Sequence, residues 1–139
     1  MDTEEKAWSA LYIMAENWQS ELKFFGDELR FLKELIGKYF ISLIDAEHID
    51  HTKQLVDDLL DLEKKRKRLD KDIGKHLHQL TNLVESQFLQ DTQGYKERHG
   101  KLEIEISEFL LDFRKVKKEL YQVTEQIMKS EKAKHLLGP

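Results

Sequence analysis

The chain has 139 residues, no cysteine and a formal net charge of -4 at pH 7, with 36% charged residues against the roughly 25% of an average globular domain. This balance predicts a soluble protein and excludes the basic excess of a typical nucleic-acid binder, and the lack of cysteine excludes disulfides, thiolate metal sites and a cysteine nucleophile. Six glycines and a single proline, at position 139, exclude a turn-rich sandwich or barrel.

The first third of the chain carries apolar residues at alternating steps of three and four. This spacing places them on one stripe of a helix and predicts a first helix over about 3–44. Glu4 and Glu5 stand in its first turn, where the helix dipole favours anions. The seam consists of Trp8, Leu11, Ala15, Trp18, Leu22, Phe25, Leu29, Leu32, Ile36, Tyr39 and Leu43.

The middle and last thirds repeat the same spacing and predict helices over about 48–90 and 94–135. The seams lose phase near 44–50, and Asp91-Thr92-Gln93-Gly94 has the composition of a turn. The second seam is Thr52, Leu55, Leu59, Leu62, Arg66, Leu69, Ile73, His76, Leu80, Leu83 and Gln87. The third is Tyr95, His99, Leu102, Ile106, Phe109, Phe113, Val116, Leu120, Val123, Ile127 and Ser130.

Three such helices predict an all-α fold, an elongated antiparallel three-helix bundle of coiled-coil type that forms a single domain over 1–139. Short connections make neighbouring helices antiparallel, and turns centred near 46 and 92–93 set the expected levels of facing residues. In helix number and heptad spacing the predicted bundle resembles the spectrin-repeat kind of three-helix bundle. The resemblance concerns architecture and implies no particular function.

Arg66 occupies a seam position, so its guanidinium needs acceptors. The expected levels place it beside Gly26–Glu28 and beside Glu119, which predicts a buried polar layer of Arg66, Glu28 and Glu119. A buried polar layer at an active centre is one interpretation. We favour a device that fixes the register of the helices, or an arginine that extends to solvent.

The six histidines raise the question of a metal site. His48 and His51 are three residues apart, and the expected fold brings His135 to the same end of the rod, so these three are candidate ligands for zinc or a similar ion. Polar residues also gather at helix ends without a metal, and we favour that interpretation, with no cofactor. His76 and His99 are expected in different layers, each satisfied by a Glu or Gln neighbour.

Residues 64–68 are five consecutive basic residues, a pattern that can indicate nucleic-acid binding. A helix spreads five consecutive residues around its circumference, and Asp61, Glu63, Asp70 and Asp72 flank the run at pairing distance. No aromatic residue interleaves with the run as a base-stacking platform requires. We therefore favour a solvated, self-neutralised helix surface over a nucleic-acid site.

Four apolar residues lie off the seams and predict an interaction surface: Phe24 and Phe31 on the first helix, and Ile104 and Leu111 on the third. No phosphate-binding glycine loop or nucleophile motif occurs in the sequence. These features predict a non-catalytic spacer, scaffold or adaptor that forms a homodimer or binds another helical protein. It is expected in the cytoplasm, with no nucleic acid, membrane or small-molecule substrate; the alternative is a metal-binding bundle.

Overall fold

The computed structural model describes the backbone of residues 3–39, 49–86 and 92–136, and the side chains of 8–39, 49–82 and 93–129 among them. Three helices make up this part of the chain: α1 (Thr3–Lys38), α2 (Ile49–Ser86) and α3 (Thr92–Leu136). Within the described ranges every residue is helical except Tyr39, so the predicted all-α three-helix bundle is confirmed. None of these helices has an apolar stretch long enough to cross a membrane.

Side-chain contacts establish the direction of each helix. Contacts between α1 and α2 join Gly26 to Arg66 and Lys33 to Glu63, so residue numbers rise on one helix as they fall on the other. The same antiparallel relation joins α2 to α3. In contacts between α1 and α3, residue numbers rise on both helices together, from the Trp8–Tyr95 ring pair to the ion pair of Glu28 with Lys117. These two helices are therefore parallel. Helix α2 packs closely against both, and α1 and α3 approach each other less closely.

The predicted seams form the core. Apolar side chains of all three helices are buried along the length of the bundle, and those with the least exposure are Tyr95, Phe109, Phe113, Leu22, Leu29, Leu32, Leu55, Leu59, Leu69, Ile73 and Leu80. At about 1.5 Å per residue, the 36 to 45 residues of each helix give a core on the order of 60 Å long. The ring of Phe25 packs on Phe109 and Phe113, which lie near the middle of α3, and so connects α1 to α3.

The described ends of α1 and α3 differ from the expectation. Helix α1 ends at Lys38, and Tyr39, predicted as helical, forms a turn in which its N–H donates to the Leu35 carbonyl at 3.2 Å. The predicted continuation over 40–44 lies outside the described residues. Gly37 lowers the helix preference of this last turn. Helix α3 begins at Thr92, two residues before the predicted start, and residues 40–48 and 87–91 lie outside the described part of the chain.

The predicted level of α3 against α2 was wrong by almost three turns. A connection centred near 92–93 placed Glu119 level with Arg66. In the structure Lys65 pairs with Asp112 and Arg68 with Glu105, which brings Arg66 level with about residue 109. The cause is that the turn-like sequence starting at Thr92 forms the first turn of α3. The level of α1 against α2 was predicted correctly, since Arg66 does lie beside Gly26.

Adjacent leucines on α2 test whether seam burial stabilises the fold. Leu59 is 1% exposed and Leu60 is 46% exposed. We predict that Leu59→Ala lowers the free energy of unfolding by about 2–5 kcal/mol, because it removes buried methyl groups and leaves a cavity. Urea unfolding followed by circular dichroism at 222 nm measures the change.

The matched control is Leu60→Ala, which removes the same atoms one residue away. It is expected to change the free energy of unfolding by less than about 1 kcal/mol, because its side chain is already half in water. Equal losses for the two variants would contradict the assignment of the seam.

Candidate functional site

A buried aromatic and polar cluster joins the three helices near the start of α3; we call its five residues, Trp8, Trp18, His76, Tyr95 and His99, the histidine layer. Nε2 of His76 lies 2.9 Å from Nδ1 of His99, and the two side chains are only 2% and 4% exposed. Tyr95 stacks on the His76 ring at 4.0 Å, and its hydroxyl donates to the His76 carbonyl at 3.1 Å. Trp18 packs on His99 at 4.5 Å, and Trp8 meets Tyr95 edge-on.

This arrangement corrects the prediction for both histidines. They were expected in different layers beside Glu or Gln residues, but the true level of α3 against α2 brings them together and each becomes the other's partner. A hydrogen bond between two ring nitrogens requires one to donate and the other to keep its lone pair. The pair can therefore join α2 to α3 with both rings neutral.

Burial keeps the histidine layer neutral. It lowers the pKa of His76 to about 4, and the charges of His99 and Arg98 act in the same direction. Burial also lowers the pKa of His99, against the opposing effect of Glu103, and raises the pKa of the Tyr95 hydroxyl. Both imidazoles are consequently neutral at pH 7.

Two buried nitrogens of the histidine layer, Trp8 Nε1 and His99 Nε2, have no hydrogen-bond partner within the described residues. Buried polar atoms normally find a partner, so these atoms are a net cost to the fold. The sequence identified both histidines as seam residues, but only the position of α3 along α2 brings His76 and His99 into contact.

The structure places the three residues of the predicted polar layer apart. Arg66 lies against Gly26 and forms no ion pair with Glu28 or Glu119 in the described part of the chain. Glu28 accepts a hydrogen bond from Lys117 of α3 at 2.9 Å. Glu119 lies nearly three turns from the level of Arg66, on the cleft between α2 and α3 that Lys65 and Asp112 also line.

Of the three candidate metal ligands, the structure describes the side chain of His51 alone. His51 is exposed on the first turn of α2. His48 lies outside the described residues, and of His135 the structure describes the helical backbone alone. Among the described side chains no group of three or more His, Asp or Glu residues is arranged to hold a metal ion.

Three members of the basic run 64–68 face carboxylates. Lys65 lies 3.5 Å from Asp112, and Arg68 lies 3.7 Å from Glu105, so both connect α2 to α3. Lys67 lies 3.8 Å from Glu63 on its own helix. These pairs are exposed and contribute little stability, but they reduce the positive potential of the run.

The predicted interaction residues are all exposed. Phe24 and Phe31 are 56% and 52% exposed, and Ile104 and Leu111 are 62% and 65% exposed. By heptad position the two phenylalanines lie on the flank of α1 next to α3, whereas Ile104 and Leu111 lie on the side of α3 turned away from the core. They therefore form two separate stripes.

Comparisons of this chain with protein-family models, with curated protein sequences and with solved structures gave no match.

The histidine layer generates a pH prediction. As pH falls below about 6.5, the unfolded chain binds protons at both histidines before the folded chain does. The free energy of unfolding therefore falls between about pH 6.5 and 4, and the contribution of the two neutral histidines is complete above about pH 6.5. Each histidine contributes at most about 1.4 kcal/mol per pH unit. Replacing both His76 and His99 with Gln should flatten this dependence, measured by urea unfolding at half-unit pH steps.

His78→Gln is the control, because His78 lies on the same helix with an exposed side chain. It should retain the full pH dependence of the parent protein. The chain's two tryptophans belong to the histidine layer, so their fluorescence reports its opening directly. If the double variant loses stability with acid as steeply as the control, the layer is not the titrating element.

Proposed function

We propose that this protein is a non-catalytic helical bundle that acts through protein–protein contacts, as a spacer, scaffold or adaptor in the cytoplasm, and that it self-associates. The observation that carries the proposal is the stripe of Phe24 and Phe31, two large aromatic side chains more than half exposed and one heptad apart. Exposed apolar side chains grouped in this way are typical of partner surfaces. A rod with helices on the order of 60 Å long also suits a spacer.

The surroundings of the stripe favour a contact surface. Phe24 packs edge-on against Phe25, whose ring contacts Phe109 and Phe113, so Phe24 is connected to the core. A side chain that is already held in place loses less conformational entropy when a partner covers it. The two phenylalanines lie beside the groove between α1 and α3, the two helices that pack least closely.

A second copy of this chain is the proposed occupant. In an isologous dimer the same stripe packs on itself, and an antiparallel arrangement brings Phe24 of one copy next to Phe31 of the other. Glu28 lies between them on the same flank and would approach its equivalent near the two-fold axis. Its hydrogen bond with Lys117, 2.9 Å long, neutralises this carboxylate and removes the repulsion.

Sedimentation velocity over a range of concentrations tests the proposal. We expect the parent protein to be dimeric in the tens of micromolar, and the double variant Phe24→Glu/Phe31→Glu to be monomeric, because charge on both sides of a two-fold interface repels and must be desolvated. Circular dichroism should be unchanged, since both positions are exposed.

Leu60→Glu provides the control, because it places a glutamate at another exposed apolar position, on α2. It is expected to leave the dimer intact. A parent protein that sediments as a monomer at these concentrations would rule out self-association through this stripe, and dispersal by Leu60→Glu as well would assign the effect to net charge.

A further inference from the structure

The guanidinium of Arg66 lies against the backbone of α1 at Gly26. A Cβ atom at position 26 would approach Cζ and Nε of Arg66 to 3.0 Å and Nη1 to 3.2 Å, both closer than ordinary van der Waals contact. Glycine therefore provides the space that the guanidinium occupies. Arg66 thus lies beside a neighbouring helix and is not simply extended into water.

Within the described residues Arg66 has no hydrogen bond or ion pair. Its Nε is buried and unpartnered, and no carboxylate lies within ion-pair distance of its other nitrogens. Arg66 is half-buried, whereas its seam neighbours Leu62 and Leu69 are almost fully buried. A partly desolvated guanidinium without an acceptor is costly, because its charge and its fixed set of donors are both left unsatisfied.

The Arg66 guanidinium borders an open cleft between α1 and α2 with a volume of about 660 Å³. We call it the Arg66 cleft. Lys33 is paired with Glu63 across it, and Arg30 lies 3.8 Å from Asp27 on its edge. The remaining hydrogen-bond donors that line the Arg66 cleft form no hydrogen bond or ion pair with the described residues. They belong to Arg66, Lys23, Gln19 and Ser20.

We propose that the Arg66 cleft binds a carboxylate, which Arg66 holds through the N–H donors of its two Nη atoms, while the buried Nε stays against Gly26. A planar guanidinium matches the two oxygens of a carboxylate in geometry as well as in charge. Phosphate shares this chemistry, but the cleft also carries the carboxylates of Asp27, Glu63 and Asp70. These repel the second negative charge of phosphate at neutral pH and therefore favour a monoanionic group.

The carboxylate belongs to a small acid or to an acidic side chain of a partner protein. The site does not depend on the phenylalanine stripe. Helix α1 faces the Arg66 cleft with Lys23, Gly26 and Arg30, whereas Phe24 and Phe31 lie on its flank next to α3. The test of this proposal is therefore independent of the oligomeric state of the protein.

Nuclear magnetic resonance of the arginine side chains tests the proposal on the full chain. The Nε–H resonance of Arg66 is assigned by its loss in Arg66→Lys and followed during titrations with butyrate, with N-acetylglutamate amide and with inorganic phosphate at constant ionic strength. Butyrate and the blocked glutamate each carry a single carboxylate. We expect a saturable shift with both, with a dissociation constant on the order of millimolar. Tighter butyrate binding assigns the site to free acids, and tighter binding of the blocked glutamate assigns it to a protein side chain.

Two variants locate the site. Arg66→Lys keeps the charge but loses the planar fork, and Gly26→Ala fills the space under the guanidinium. Each should weaken butyrate binding at least about tenfold, measured from the backbone resonances of Lys23 and Ser20. Arg68→Lys is the matched control and should bind as the parent protein does, because Arg68 is exposed and faces Glu105. Circular dichroism establishes that each variant is folded.

Three outcomes overturn the proposal. The first is an Arg66 resonance that does not respond to either carboxylate in the parent protein, a result that needs no variant. The second is tighter binding of phosphate than of the carboxylates. The third is an equal loss of binding in Arg68→Lys, which would indicate general attraction of anions to the basic run.

Discussion

The structure depends on the removal of three apolar seams from water. Each helix carries its apolar residues on one stripe, and no helix can bury that stripe alone, so the three must lie side by side along their length. Helix α2 contacts both neighbours closely and runs opposite to them. The surfaces left at the edges of the bundle, the α1–α3 groove and the Arg66 cleft, follow from this arrangement.

Polar residues within the seams add specificity to this apolar packing. Leucine seams alone tolerate sliding by a heptad, because each heptad looks much like the next. The bond between His76 and His99 forms at one level of α3 against α2, and the contact of Arg66 with Gly26 forms at one level of α1 against α2. Each leaves a buried nitrogen without a partner among the described residues, so stability is lower than a fully apolar core would give.

The two proposed contact surfaces differ in the physics of binding. The phenylalanine stripe of α1 offers apolar area that a partner removes from water, so its contribution changes little with salt. The Arg66 cleft offers one charged group with fixed donors, so its contribution depends on geometry and falls as ionic strength rises. A protein that works by contact gains affinity from the first kind of surface and selectivity from the second.

The sequence by itself determined the helices and their buried faces, because a repeat of three and four residues is a local property of the chain. It also identified the exposed stripe of Phe24 and Phe31 and the level of Arg66 beside Gly26. The tertiary structure alone decided the level of α3. Turn-like residues from Thr92 form the start of that helix. The energy that separates one alignment of α3 along α2 from an alignment shifted by a heptad comes from contacts between residues far apart in sequence. For this reason the meeting of His76 with His99, the separation of Arg66 from Glu119 and the open cleft beside Gly26 required the packed helices.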